Sequence, residues 1–111
     1  MIIYNVTVNI EKSIHDEWLI WIKNYIPLVL ATRKFTDAKL TKVLVEEEMG
    51  GTTYAIQYRA KSREALDSYY KNDADKLRQD GLLKFADKML TFRTELEIID
   101  EYSITHHSEC L

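Results

Sequence analysis

Residues 1–10 read MIIYNVTVNI. Ile2, Tyr4, Val6, Val8 and Ile10 are apolar, whereas the intervening Asn5, Thr7 and Asn9 are short and polar. A β-strand shows alternate residues to opposite faces, so this stretch reads as a strand with one face on a core and one row of amides and hydroxyls. The next segment changes period. In residues 11–35, Ile14, Trp18, Trp21, Ile22 and Tyr25 recur at helical spacing and form one broad apolar stripe. Ser13 is placed to cap this helix, Asp16 stands where a capping box wants an acid, and Asp16 and Glu17 suit the helix N-terminus. Pro27 has no backbone N–H, so the helix is expected to end or kink there, with a new turn starting at the proline.

Residues 39–60 read KLTKVLVEEEMGGTTYAIQYRA, two strands about a turn, with Gly50-Gly51 supplying the positive φ angles a tight hairpin needs. Tyr54, Ile56 and Tyr58 share the core face. Thr53, Ala55, Gln57 and Arg59 share the other. A second helix follows over 62–81, capped by Ser62, lined by Leu66, Tyr69, Tyr70, Ala74 and Leu77, and stopped by Gly81. The segment LLKFADK adds one or two helical turns. Residues 89–102, MLTFRTELEIIDEY, alternate again, with Leu90, Phe92, Leu96 and Ile98 opposite Thr91, Arg93, Glu95 and Glu97.

The order β-α-β-β-α-β with right-handed crossovers gives an α+β, ferredoxin-like sandwich. A four-stranded antiparallel sheet, ordered 4-1-3-2, carries both helices on one face. If the apolar parity of each strand turns to the helices, then Asn5, Thr7, Asn9, Gln57, Arg59, Thr91, Arg93 and Glu95 meet on the open face. One domain over 1–102 and a tail over 103–111 are expected.

Composition restricts the function classes. The chain has 111 residues, enough for one core. Its net charge of −3 argues against affinity for a phosphate backbone. An RNA-recognition surface on this topology also stacks bases on aromatics of the central strands, and Thr53, Ala55, Gln57 and Arg59 include none. The single cysteine, Cys110, excludes an intramolecular disulfide framework and fits a reducing compartment. The start of the chain lacks the pattern of a signal peptide, and no apolar run approaches a bilayer span. These features describe a cytoplasmic protein without nucleic-acid or membrane partners.

Two features of the open face reach beyond a solvated surface. Asn5, Thr7 and Asn9 offer uncharged, fixed hydrogen-bonding groups where long charged side chains are usual. The last strand, expected to be an edge, runs for some fourteen residues, far beyond the usual ~5–6, and a long edge seeks a partner. Val43 and Val45 would be exposed at the opposite edge. A homodimer that packs open faces together answers these points. Chains of this order and length resemble the dimeric α/β-barrel group of the ferredoxin-like fold. More narrowly, MIIYNVTVNI, TKVLVEEEMGG and FRTELEIIDEY resemble a small uncharacterised bacterial family of domains of unknown function. That resemblance covers most of residues 1–102, implies fold and dimer, and brings no catalytic residues.

Asn5, Thr7, Asn9, Gln57, Arg59 and Arg93 are the ligand-binding candidates. The amides and hydroxyl would orient a small polar ligand, and an arginine would pair with its carboxylate or phosphate. The competing reading pairs Arg59 and Arg93 with Glu95 and Glu97 across the sheet or the dimer. His15 beside Asp16 is a possible base, more simply a surface residue. His106, His107 and Cys110 are metal-capable atoms on a terminal tail, too loosely held to be read as a metal site. Trp18 and Trp21 read as packing, and Glu46 to Glu48 as a solvated approach to the hairpin. No cofactor or metal is expected. The reading is a homodimeric small-molecule-binding or interaction module without catalysis. The alternative is a cofactor-independent, monooxygenase-like enzyme in a polar cavity between the sheet faces. Haem chemistry is disfavoured because no histidine lies between residues 16 and 105.

Overall fold

A computed structural model of the chain describes residues 1–45 and 50–104. Four strands, β1 (Ile2–Ile10), β2 (Phe35–Lys42), β3 (Thr52–Ala60) and β4 (Met89–Glu97), form one sheet ordered β2-β3-β1-β4 with every pairing antiparallel. Helices α1 (His15–Leu30), α2 (Arg63–Asn72) and α3 (Ala74–Phe85) complete the chain. The α+β, ferredoxin-like arrangement and its strand order are those expected from the alternation. Tyr4, Val8 and Ile10 of β1 and Tyr54, Ile56, Tyr58 and Ala60 of β3 are buried, together with Trp18, Ile22 and Val29 of α1 and Leu66, Tyr69, Ala74 and Phe85 of α2 and α3. Tyr4 stands amid the rings of Phe35, Tyr58, Tyr69 and Tyr70, at centroid distances of 5.6–6.1 Å.

Several local expectations are corrected. Ser13 does not cap α1. It lies in a 3-10 turn over Lys12–Ile14, and its hydroxyl reaches Glu11. Asp16 and Glu17 do occupy the first turn. Pro27 neither ends nor displaces the helix, which continues to Leu30. Lys23 and Pro27 are both exposed, so the proline interrupts the helix ladder on the solvent side. The second helix is two, broken at Asp73 (φ −122°, ψ −37°), although Ser62 caps its start by accepting from the Ala65 N–H at 3.0 Å. Gly50 and Gly51 have φ of +80° and +81°, as a turn requires. A Cβ on Gly51 would also stand 2.7 Å from the Ile10 carbonyl oxygen. Glu46 to Glu48 lie outside the described residues. Strand β2 begins at Phe35, earlier than its apolar pattern suggests, and ends before Val43, leaving Val45 exposed.

The main departure is β4. Pairing with β1 sets Tyr4 opposite Glu95, Val6 opposite Arg93 and Val8 opposite Thr91. Directly opposed residues share a face, and a one-residue change of register moves every side chain to the other side. Thr91, Arg93 and Glu95 therefore face the helices, and Leu90, Phe92, Thr94 and Leu96 face the open side. The expected parity is inverted. On the helix side this face meets a polar clamp. Arg63 of α2 grips Glu95 with both guanidinium nitrogens (2.7 and 3.1 Å), and the Tyr70 hydroxyl donates to the same carboxylate at 2.6 Å. The fork geometry makes a charge-assisted pair that a leucine there could not replace. The strand also stops at Glu97, short of the expected fourteen residues, although the Ile98 N–H still bonds the Met1 carbonyl at 2.9 Å.

Gly81 does not stop a helix either. It lies inside α3, buried against the face of Trp21, and a Cβ there would fall 2.7 Å from Trp21 Cη2. Trp21 is held by stacking on Tyr25 (4.6 Å), an edge contact with Phe85 (5.5 Å) and a 2.7 Å hydrogen bond from Nε1 to Asp80.

Gly81→Ala gains about 1 kcal/mol of helix propensity and costs about 1–3 kcal/mol of overpacking. A net loss is expected, read as a melting temperature several degrees lower with a red shift of tryptophan emission as Trp21 is pushed outward. Glu95 should titrate far below its ordinary 4.5, at about 2, because Arg63 and then Tyr70 hydrogen-bond its charged form. The clamp then stabilises the fold above pH 4.5 and is lost as pH falls towards 2. A carbon-detected NMR titration should return Glu95 to the ordinary range in Arg63→Gln.

Candidate functional site

The open face unites five of the six expected site residues. Asn5 lies opposite Gln57, Thr7 opposite Ala55 and Asn9 opposite Thr53. The Asn5 amide donates to the hydroxyls of Thr7 (3.2 Å) and Thr94 (3.3 Å), and the Asn9 amide donates to Thr53 (3.0 Å). The row is thus braced within the sheet. Arg59, at the far end, is neutralised by Glu101 at 3.1 Å and Asp37 at 3.8 Å, not by Glu95 or Glu97. Arg93 is absent from this face. The inverted parity of β4 replaces it with Phe92 beside Thr7, Leu90 beside Asn9 and Leu96 beside Ile3. Phe92 and Leu90 are each 59% exposed and Leu96 44%.

Arg93 stands instead in a second site, the layer between sheet and helices. A half-open cavity of about 60 Å³ lies there. Tyr4, Tyr58, Trp18, Trp21, Tyr25 and Tyr69 supply its aromatic wall, and Arg78 and Arg93 its charges. Arg78, half-buried on α3, donates from Nη2 to the Tyr4 hydroxyl at 2.6 Å. Tyr69 hydrogen-bonds to Tyr25. Burial pushes the phenols of Tyr25, Tyr58 and Tyr69 upward, so they remain neutral donors at physiological pH. Among the described residues, neither Arg78 nor Arg93 has a carboxylate within 4.0 Å. Trp18 is fully buried, and its indole Nε1 finds no acceptor among the described residues.

The sequence held a signal for this cavity that alternation alone does not decode. Tyr4, Tyr54 and Tyr58 all fall on the apolar parity of central strands. A phenol there needs a polar partner or solvent within the core. Tyr54 meets that need elsewhere. His15 Nε2 lies 2.6 Å from its hydroxyl, and His15 Nδ1 lies 3.1 Å from Asp16. His15 is thus a bracket between α1 and β3. Burial raises the Tyr54 pKa, which suits a hydrogen-bond donor and not a nucleophile. His106, His107 and Cys110 lie outside the described residues. Among the described residues, no group of three metal-capable side chains gathers, and no helix is long and apolar enough to cross a membrane.

The comparisons with known proteins bear on fold and family. A dimeric ferredoxin-like protein from an uncultured marine organism superposes with a TM-score of 0.73 at 10% identity, over 91% of this chain and 97% of that one. A dimeric ferredoxin-like protein of unknown function from Jannaschia sp. gives 0.58 at 15% identity, over 88% and 100%. A proposed antibiotic biosynthesis monooxygenase from Deinococcus radiodurans gives 0.59 at 15% identity, over 95% and 99%. At these identities the likeness is one of fold alone. No curated protein matches in sequence. Residues 1–99 match the family described as Domain of unknown function (DUF4286), and the chain belongs to that family.

Proposed function

We propose that the protein is a homodimeric small-molecule-binding module without catalysis. The register of β4 carries this reading, because it gives each face of the sheet its own task. It turns Leu90, Phe92 and Leu96 outward, beside Asn5, Thr7 and Asn9, and turns Thr91 and Arg93 into the cavity wall. Exposed apolar side chains gathered on a sheet face, here broken only by Thr94, make a surface that a second copy can bury. Asn5, Thr7, Asn9, Gln57 and Arg59 then face the partner across the dimer seam, where their fixed hydrogen bonds specify register. The dimeric ferredoxin-like neighbours support the same assembly. The ligand site is the helix-side cavity. Among the described residues its lining has no histidine, aspartate or glutamate to move a proton, which favours binding over catalysis.

A second reading, a cofactor-independent enzyme, draws on Arg93, which has no carboxylate partner among the described residues, and on the fold shared with the monooxygenase-like neighbour. It would have to act through the neutral tyrosines of the cavity or in a space between paired sheets.

Light scattering at micromolar concentration should give twice the 13.1 kDa chain mass. Phe92→Lys, which places a charge in the apolar row, should give the single chain mass with its circular dichroism retained. A monomeric wild type overturns the dimer. A panel of small polar and anionic metabolites should raise the melting temperature of wild type, by an amount set by ligand concentration over Kd. A panel without a single shift overturns the binding reading.

A further inference from the structure

Arg78 of α3 and Arg93 of β4 bring two positive charges to the lining of one cavity. The acids nearest in chain to them are engaged elsewhere. Glu95, two residues along the same face of β4, is gripped by Arg63 and Tyr70. Asp80, two residues along α3, accepts the Trp21 indole N–H. Neither guanidinium has a carboxylate within 4.0 Å among the described residues, so an anion entering the cavity meets positive charge that no acid of the protein neutralises. Both charges also act on the Tyr25 hydroxyl, which burial raises and each guanidinium lowers.

The rest of the wall sets the character of the ligand. Val8, Ile22, Ile56 and Met89 line the cavity with the aromatic rings, a predominantly apolar wall that suits hydrocarbon. A volume of about 60 Å³ exceeds the ~10–15 Å³ that one water needs and falls short of the ~150 Å³ that admits benzene. A short aliphatic chain fits where a whole ring does not.

We propose that this cavity binds short apolar monocarboxylates, with the carboxylate held between the Arg78 and Arg93 guanidiniums and the hydrocarbon chain laid on the aromatic wall. The assignment rests on reading the cavity as the binding site. The carboxylate is a planar two-oxygen acceptor that matches the guanidinium fork. The arginine pair supplies the charge, and the apolar wall takes the hydrocarbon chain. Arg93 is exposed on β4 and Arg78 half-buried on α3, so the charged end of the ligand lies towards the mouth and the chain points inward.

Butyrate, butyramide and inorganic phosphate are the probes. Each is titrated into the intact protein, and the side-chain resonances of Trp21 and Tyr25 are followed by NMR. Butyrate should shift them saturably, and butyramide should bind at least about tenfold more weakly, since a charge-assisted bond is lost. Arg93→Gln, a change at an exposed side chain, should weaken butyrate by a similar factor and leave the melting temperature of the free protein near that of wild type. Arg78→Gln should do the same to binding, with some loss of stability from the Tyr4 bond. Butyramide binding as tightly as butyrate overturns the carboxylate assignment and leaves the cavity a binding site. Phosphate binding in preference to butyrate overturns the apolar part of it. Wall resonances unmoved by any of the three overturn both the assignment and the cavity as a site.

Discussion

A phenol buried in an apolar layer must find a hydrogen-bond partner, and much of this molecule follows from that requirement. β1 and β3 carry Tyr4, Tyr54 and Tyr58 on the face that the helices cover. Tyr54 is satisfied at one end of the layer by His15 of α1. Tyr4 is satisfied by Arg78 of α3, which brings a guanidinium into the core layer. Tyr69 and Tyr25 satisfy each other. Rings packed at 5–6 Å build a stiff core, while their hydroxyls keep one side of it polar enough to remain open. The cavity opens where these tyrosines meet Arg78 and Arg93.

The second consequence is the register of β4. The helix-side surface beyond β1 is polar, with Arg63, Tyr70 and Arg78 projecting over it. Glu95 meets Arg63 and Tyr70 there, and Arg93 joins the cavity wall beside Arg78. The apolar alternates Leu90, Phe92 and Leu96 are left on the open face. That exposure is unfavourable for a single chain and favourable for a sheet that meets another sheet. One strand thus links the cavity on one side to the apolar row on the other, and a ligand that draws on Arg93 touches the strand whose reverse face is proposed to form the dimer.

Much of the fold was legible. Alternation in residues 2–10 and 52–60 gave the core faces of both central strands, and the glycine pair marked the entry to β3, although β2 ends at Lys42 and the connection is longer than the tight hairpin expected. Ser62 declared its helix start through its side-chain oxygen. Where reading along the chain went astray, a contact distant in sequence had intervened. Gly81 looks like a helix stop until Trp21 is seen lying against it. Pro27 looks like a helix end until its face proves to be solvent. Asn5, Thr7, Asn9, Gln57 and Arg59 do share the open sheet face, as the alternation implied. Arg93 was placed on the wrong face, and Arg78 and the tyrosine wall were not singled out, because none of them belongs to a motif of fixed spacing.

The sequence by itself determined the order of elements, the strand order and the inward faces of β1 and β3. Each depends on a periodicity that local chemistry enforces: 2.0 for a strand, 3.6 for a helix. Tertiary structure alone decided which face β4 presents. Its alternation is equally sharp in either direction, with apolar residues on one parity and charged or hydroxyl residues on the other. Hydrophobic burial within one chain would choose the first for the core. In the folded chain Arg63 and Tyr70, some thirty residues away in sequence, hold Glu95 in a charge-assisted clamp, and the polar parity faces the helices.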